Sequence, residues 1–436
     1  MKQYSVILIG AGLRGKAYTD IMYNCSDKFK VVSVAEPEKS RRDYIKNKHG
    51  LSDDMCFTSY EELLSKPKMA DLAVIATMDN LHYLPTMKAI ELGYDILMEK
   101  PVAPTEKECV DILLASEKKG VKVLVCHVLR YTPFFKKVKE LVMEGAVGKV
   151  MSVLHVEAVG NVHQSHSYVR GNWHCEAETT PMLLAKCCHD LDIIQWILDE
   201  PCEKVQSFGK LSYFTPENAP EGAPIRCIDG GCPIEDTCPY NCRKLYYESK
   251  DNSWFRPACT RGIAKGEIPT DEEVMTALKT TDFGLCVFHA NNDVVDHQTV
   301  NMQFRSGANA TLTMNAFNCG GRYIRIFGTK GELFAYMDDE YIDIFTFEDR
   351  KHTKIPKTLI DESILSGHGG GDSGIVYELY DYLSDSYTGY CASNINVSVK
   401  NHLIGFAAEK SRHGDTVENI DKYFASYGLS NDYSRV

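Results

Sequence analysis

The chain of 436 residues, 44% apolar and 25% charged, has the composition of a soluble globular protein and is too long for one ordinary core, so two domains are expected. A net charge of −12 and the lack of any long basic run argue against nucleic acid or an anionic membrane as a partner. The opening MKQYSVILIG enters a strand without a secretory apolar segment, and no later run is long enough to span a bilayer, so a cytoplasmic protein is expected.

Val6 to Ile9 reads as an apolar strand that runs directly into Gly10-Ala11-Gly12-Leu13-Arg14-Gly15 and a helical pattern through Tyr23. This is a dinucleotide fingerprint in context. The first glycine permits a tight turn, the second lets a pyrophosphate approach the backbone, the third lets helix and strand pack, and the helix N-terminus faces the phosphates. The next strand, KVVSVAE, ends in Glu36, whose carboxylate suits the two ribose hydroxyls and predicts NAD rather than NADP. Arg41 and Arg42 lie just beyond, but Glu36 would repel a 2′-phosphate there, so they are read as solvated helix residues.

The alternation continues with a strand at Leu72–Ala76, a helix at Thr77–Leu92, the strand YDILMEKP, a helix at Glu106–Lys119 and a strand at Val121–Cys126. Strands alternating with helices of this length predict a parallel, doubly wound sheet over residues 1–128. Ligands collect at the carboxyl ends of such strands, where Glu99, Lys100, His127, Arg130 and Tyr131 fall. Lys100 is therefore a candidate acid, base or polarising group, with a strand-end lysine facing water as its alternative.

At this point the chain resembles the Gfo/Idh/MocA family of NAD(P)-dependent oxidoreductases. The resemblance rests on GAGLRG, Asn80-Leu81-His82, Glu99-Lys100-Pro101, Arg130-Tyr131-Thr132-Pro133 and Gly328-Thr329-Lys330-Gly331. It implies an N-terminal Rossmann domain and an α+β C-terminal domain, residues 129–436, built on a large, open, mostly antiparallel sheet that also serves a homo-oligomer. It also implies NAD held by Gly10, Gly12, Leu13, Arg14, Gly15, Glu36, Asn80, His82, Glu99 and Lys100. The substrate class implied is a sugar, cyclitol or related polyol, oxidised or reduced at a hydroxyl.

The family pattern places an aspartate four residues before a histidine on one helix. Here His189 and Asp192 match, whereas Ala185 stands in the aspartate's place and Lys186 follows it. Helical spacing would group Lys186, His189 and either Asp190 or Asp192. The expected catalytic set is Lys100, His189 and Lys186; the alternative is a Lys186–Asp190 surface pair beside a helix-lining histidine.

The polar, aromatic stretch HQSHSYVRGNWHCEAETTP precedes that helix. In it His166, Tyr168, Arg170 and Trp173 are candidate sugar contacts, alongside Arg130, Tyr131 and Asp192. Further along, the strands VNMQF, ATLTMNAF and YIRIFG suit one face of the large sheet, with His297 either reaching the cleft or capping the edge. Gly367 to Asp372 can bring His368 and Asp372 back toward the cofactor, or act as a plain hinge.

Sixteen cysteines in a chain of this kind point to reduced thiols or metal ligands rather than a disulfide framework. Cys227, Cys232, Cys238 and Cys242 cluster in a Cys-rich insertion near 202–280, where four thiolates can close a structural zinc or an iron–sulfur cluster, or remain reduced thiols in a loop. Three functional readings follow. They are a dehydrogenase that turns over NAD, a glycoside-cleaving enzyme that retains NAD and works through a transient 3-keto sugar, and a non-catalytic cofactor-binding regulator.

Overall fold

The computed structural model describes residues 2–432, apart from 251, 253, 265, 267 and 357–368. His368 lies outside the described residues. Among the described residues, fifteen strands form two sheets. The first contains β1 (Tyr4–Ile9), β2 (Phe29–Ala35), β3 (Cys56–Phe57), β4 (Leu72–Ile75), β5 (Asp95–Met98) and β6 (Val123–Val125) in the order β3-β2-β1-β4-β5-β6, every pairing parallel. That is the Rossmann order. LAVI in β4 is buried throughout and DILM in β5 nearly so, because helices cover both faces of a parallel sheet.

The helix expected over Thr77–Leu92 divides into a 3-10 turn at Asp79–Leu81 and a helix at Tyr83–Leu92. The reason is local: His82 is buried, and its ring nitrogens meet Pro101 O at 2.7 Å and Thr77 O at 3.2 Å. The Lys100–Pro101 peptide is cis.

The second sheet is mixed and mostly antiparallel. Its strands are β7 (Val150–Ala158), β8 (Cys202–Lys210), β9 (His297–Phe304), β10 (Asn309–Asn315), β11 (Gly321–Gly328), β12 (Gly331–Tyr336), β13 (Tyr341–Thr346), β14 (Lys351–Pro356) and β15 (Glu418–Asn419). The order is β14-β13-β12-β11-β7-β10-β9-β8-β15, and among the described residues only β7 and β10 pair in parallel. Alternation along β10 sends Ala310, Leu312 and Met314 into the core and Thr311 and Thr313 to the other face. The helices Cys188–Leu198 and Ile395–Gly414 pack on this sheet.

Because 202–210 is strand, the cysteine-rich insertion begins after Lys210 and ends before β9. It carries its own small apolar clusters, one around Phe214, Tyr240 and Phe288 and one around Cys242, Tyr246 and Leu278. The chain after the second sheet returns to the first. The helix Gly371–Leu383 packs on the helix Leu13–Asn24, and Val125 N–H donates to Ser393 O at 2.9 Å.

Candidate active site

The glycine loop has the shape its sequence implies. Gly10 has φ +89°, and a Cβ there would lie 2.6 Å from Ala76 O, so only glycine fits. A Cβ on Gly15 would meet Gly10 O at 2.0 Å, whereas Gly12 has nothing within 4 Å of the same position. Tight packing on either side of an open glycine at the N-terminus of the helix Leu13–Asn24 leaves a backbone cradle of the kind that takes a pyrophosphate, so these residues fit a dinucleotide.

Glu36 is buried at the end of β2. Its Oε2 accepts the Ala11 N–H at 2.7 Å and its Oε1 accepts the Glu38 N–H at 2.9 Å. The carboxylate thus braces the glycine loop and keeps lone pairs for hydroxyl donors. Arg42 turns back onto the carbonyls of Glu36 and Pro37. Leu13 and Asn80 are exposed near the loop ends.

Arg14 does not face outward as a loop residue. It donates to Glu99 Oε1 at 2.7 Å and to both oxygens of Asp372 at 2.7 Å, and Tyr18 Oη donates to Glu99 Oε1 at 2.6 Å. Burial opposes ionisation of Glu99, but Arg14 and Lys100 hold its carboxyl below the ordinary range. These two members of the expected cofactor set therefore brace the fold.

Lys100 reaches across to the second domain, where its Nζ donates to Ala185 O at 2.7 Å. That carbonyl ends the short helix Met182–Ala185, and the chain resumes as helix only at Cys188. The single helix expected through Lys186 and Asp192 is thus broken, and the expected grouping of Lys186, His189 and the aspartates is corrected. Lys186 lies in the break, with Nζ 3.4 Å from Glu157 Oε1. Burial and the neighbouring charges of Arg322 and Lys100 push its ammonium down, against the pull of Glu157. Burial likewise raises Glu157, opposed by Arg322, whose Nε lies 2.5 Å from Glu157 and 2.9 Å from Asp190.

Asp190 also takes His155 Nε2 at 2.7 Å; burial works against its charge, yet Arg322 and His155 bring its carboxyl to about 2. It is therefore not the partner of Lys186 on a surface. Asp192 points elsewhere again, accepting Arg130 Nε and Nη2 at 2.6 and 2.7 Å and Asn401 Nδ2 at 2.6 Å. Arg130 and Asp192, 3% and 1% exposed, are joined as a structural pair, and Tyr131 is buried with its hydroxyl 3.1 Å from Ser393 Oγ. These three assigned substrate contacts are used inside the protein.

His189, 6% exposed on the first turn of the Cys188–Leu198 helix, stands edge-to-face with His127 at 5.8 Å between ring centroids. His127 is fully buried; burial lowers it to about 4, and neither ring nitrogen has a hydrogen-bond partner among the described residues. His163 was missed by the sequence reading. Burial and the charges of Lys186, His166, Arg322 and Lys100 push it well below its ordinary value, which locates it among the cleft's cations. Its signal was only its place three residues before His166, and it is His166 that turns away. The His166 ring packs among Tyr246, Trp254, Phe255 and Phe283, with Nδ1 3.0 Å from Tyr246 Oη.

Tyr168 is buried 5.8 Å from the His163 ring and 6.0 Å from Trp173. Trp173 Nε1 donates to Asp79 Oδ2 at 2.9 Å, a cross-link between the domains that also was not foreseen. Arg170 turns toward the insertion, donating to Leu285 O and Tyr240 O at 2.8 Å each. His297 is half exposed at the start of β9 and bound to Asp296 at 2.8 Å, so it caps a strand end.

The zinc expectation is corrected. Among the described residues, no group of three or more His, Cys, Asp or Glu side chains is arranged to hold a metal ion. Cys242 is fully buried in the apolar cluster with Ile228 and Tyr246, and its N–H donates to Cys227 Sγ at 3.5 Å. No helix among the described residues is long and apolar enough to cross a membrane.

Residues 4–127 match the model of an oxidoreductase family described by its NAD-binding Rossmann fold, and residues 139–363 match that family's C-terminal alpha/beta domain. The chain belongs to the Gfo/Idh/MocA oxidoreductase family. Bacillus subtilis YteT is 25% identical over 346 residues, 74% of each chain. A 2,7-anhydro-N-acetylneuraminate hydratase of Escherichia coli is 27% identical over 205 residues, which is 46% of this chain and 51% of the relative. A levoglucosan dehydrogenase solved with NADH superposes with a TM-score of 0.68 at 15% identity, covering 96% of this chain and 99% of the other. As a member of this family the chain is an NAD-binding oxidoreductase.

Proposed function

We propose that this member oxidises or reduces a hydroxyl of a sugar, glycoside or cyclitol with NAD. The observation that carries the reading is the Lys100 ammonium held 2.7 Å from Ala185 O, at the junction of the two domains and beside Lys186. The nicotinamide, when bound, supplies the hydride acceptor or donor. Lys100 holds the substrate hydroxyl oxygen, and His189 takes or returns its proton, which suits an imidazole near neutral pH. Lys186, lowered by burial, stands where the family pattern has an aspartate-adjacent position and stabilises an oxyanion on the same carbon. His163, Tyr168 and Trp173 supply a flat, partly polar wall for a ring. Glu36 favours NAD over NADP.

The relative named as an anhydro-sugar hydratase supports a second reading, in which the hydride is returned and a glycosidic or anhydro bond is broken by elimination. A panel of free sugars, glycosides and inositols with NAD separates the two. Accumulating NADH identifies a dehydrogenase, bond cleavage without NADH identifies the retaining cycle, and no turnover on any member overturns both. The half-exposed face of the second sheet, with Met151 and Phe334, is the proposed surface for a second copy, checked by light scattering.

A further inference from the structure

The insertion holds a partly open cavity lined by Cys227, with Arg170, Glu235 and Asn241 in the same wall. Next to Cys227 lies Cys242, fully buried in the apolar cluster with Ile228 and Tyr246. Two local devices bring these cysteines together. Gly230 and Gly231, both at φ +77°, let the chain turn directly after the segment Cys227–Asp229. The Asn241 side chain then accepts the Arg243 and Lys244 N–H groups at 2.9 and 3.3 Å, which caps the helical segment Arg243–Glu248 and fixes Cys242 at its start. The result is a direct contact: Cys242 N–H donates to Cys227 Sγ at 3.5 Å, and the Cys242 thiol donates to the same sulfur.

That contact prepares one sulfur for reaction. The Cys242 thiol and N–H, together with the charge of Arg170, bring Cys227 down to about 6, against burial and the carboxylate of Glu235. A thiol held there is largely thiolate at neutral pH, and the thiolate is the nucleophile. The neighbouring sulfurs are held the other way. Burial pushes Cys238 and Cys286 up, and the hydrogen bond to Cys227 together with burial raises Cys242. Cys227 is half-buried and lines the open cavity, so a small molecule can reach it.

We infer that Cys227 and Cys242 are a reversible dithiol pair that a small neutral peroxide oxidises to a disulfide. The Cys227 thiolate attacks one peroxide oxygen, the O–O bond breaks, and the departing hydroxide takes a proton from solvent and leaves as water; Cys227 is then a sulfenic acid. The Cys242 sulfur attacks the Cys227 sulfur, the S–O bond breaks, and the leaving hydroxide takes the Cys242 proton. Two thiols thereby lose two electrons and hydrogen peroxide becomes two waters. Glu235 sets the class of oxidant, because a carboxylate in the wall disfavours an anionic one. A disulfide is about 2.05 Å long, and two sulfurs already in hydrogen-bond contact reach it by a short approach of their side chains.

The test treats the full chain, reduced and then freed of reductant, with hydrogen peroxide, blocks the remaining thiols by alkylation and maps linked peptides by mass spectrometry without reduction. The expected result is a peptide pair joined through Cys227 and Cys242, formed ahead of any oxidation at the exposed Cys319 and reversed by dithiothreitol. Cys242→Ser should instead leave a sulfenic acid on Cys227 that dimedone captures, and Cys227→Ser should leave Cys242 unoxidised at the same dose. A disulfide from Cys227 to Cys232, Cys238 or Cys286 overturns the pair, as does oxidation of Cys319 before Cys227 or a full thiol count after excess peroxide. Should either variant fail to fold, the linkage found in the unmodified chain decides.

Discussion

Arg14 and Asp372, 358 positions apart, meet in a two-point ion pair with both contacts at 2.7 Å. Arg14 opens the helix after the glycine loop, and Asp372 opens the helix Gly371–Leu383 after the second sheet. Since Arg14 also holds Glu99 beside Lys100, one guanidinium ties the cofactor loop, the lysine strand and the returning C-terminal segment together.

Arg14→Met should therefore loosen both cofactor binding and domain docking. Asp372 is 2% exposed and Glu99 6%, so removing the cation leaves two buried carboxylates facing each other. Breaking a buried pair from one side costs about 3–5 kcal/mol, and the partial exposure of Arg14 points to the lower end. Urea denaturation followed by fluorescence measures the loss, and a midpoint unchanged from the parent would show that the pair contributes nothing.

Asp190 predicts a limb in the acid stability profile. Its carboxyl is held at about 2 against an ordinary 3.8, so the folded state binds its proton less readily than the unfolded chain does. The stability this brings is fully present above pH 3.8 and is lost as pH falls toward 2. Asp190→Asn should flatten the profile in that window while lowering stability at neutral pH. Thermal midpoints of both proteins across that range check it; parallel curves would dismiss the Arg322 and His155 contacts as the cause.

The Rossmann half was legible because its signals are local: a glycine loop between an apolar strand and a helix, and period-switching between short strands and longer helices. The helix of the candidate site was not. Nothing in LLAKCCHDLD marks a break, which comes from another domain. Lys100 takes the Ala185 carbonyl that an unbroken helix would give to the amide four residues on, so a tertiary contact overrides helical spacing. The buried fates of Arg130 and Asp192 were hidden for the same reason, since each polar side chain has a partner remote in sequence. His163 and His166 carry equal weight in the sequence and both rings meet Trp254, but it is His166 that is also packed against Tyr246, Phe255 and Phe283. The cysteine cluster was visible as a count, but the burial of Cys242 in the apolar cluster with Ile228 and Tyr246 was not.

Glu36→Gln should weaken NAD roughly tenfold or more, because a hydrogen bond to a charged group contributes about 1.5–3 kcal/mol. NADP should suffer less, the repulsion of its 2′-phosphate being relieved. Glutamine keeps an acceptor for either Ala11 or Glu38, so the glycine loop stays near its place. Calorimetric titration of both cofactors measures the change, and equal binding of the two by the parent protein would dispose of the NAD preference.

Lys100→Ala should cut turnover by a factor of about 10² or more and leave NAD affinity nearly intact. On the proposed reading the adenosine and phosphate ends of the cofactor go to the loop at Gly10–Gly15 and to Glu36, whereas Lys100 meets the other domain through Ala185. The alanine variant also frees the Ala185 carbonyl, which lets the helix close toward His189, so a loss of activity alone does not separate chemistry from geometry. Lys100→Arg does: arginine keeps the charge and can still donate to Ala185 O, but it does not give up a proton. Near-normal turnover in that variant means the ammonium orients and polarises while His189 moves the proton, and the pH–rate profile should then keep its limb near the imidazole range. A deep loss in Lys100→Arg with unchanged KM assigns proton transfer to Lys100 itself. Full activity in Lys100→Ala would remove the residue from the site.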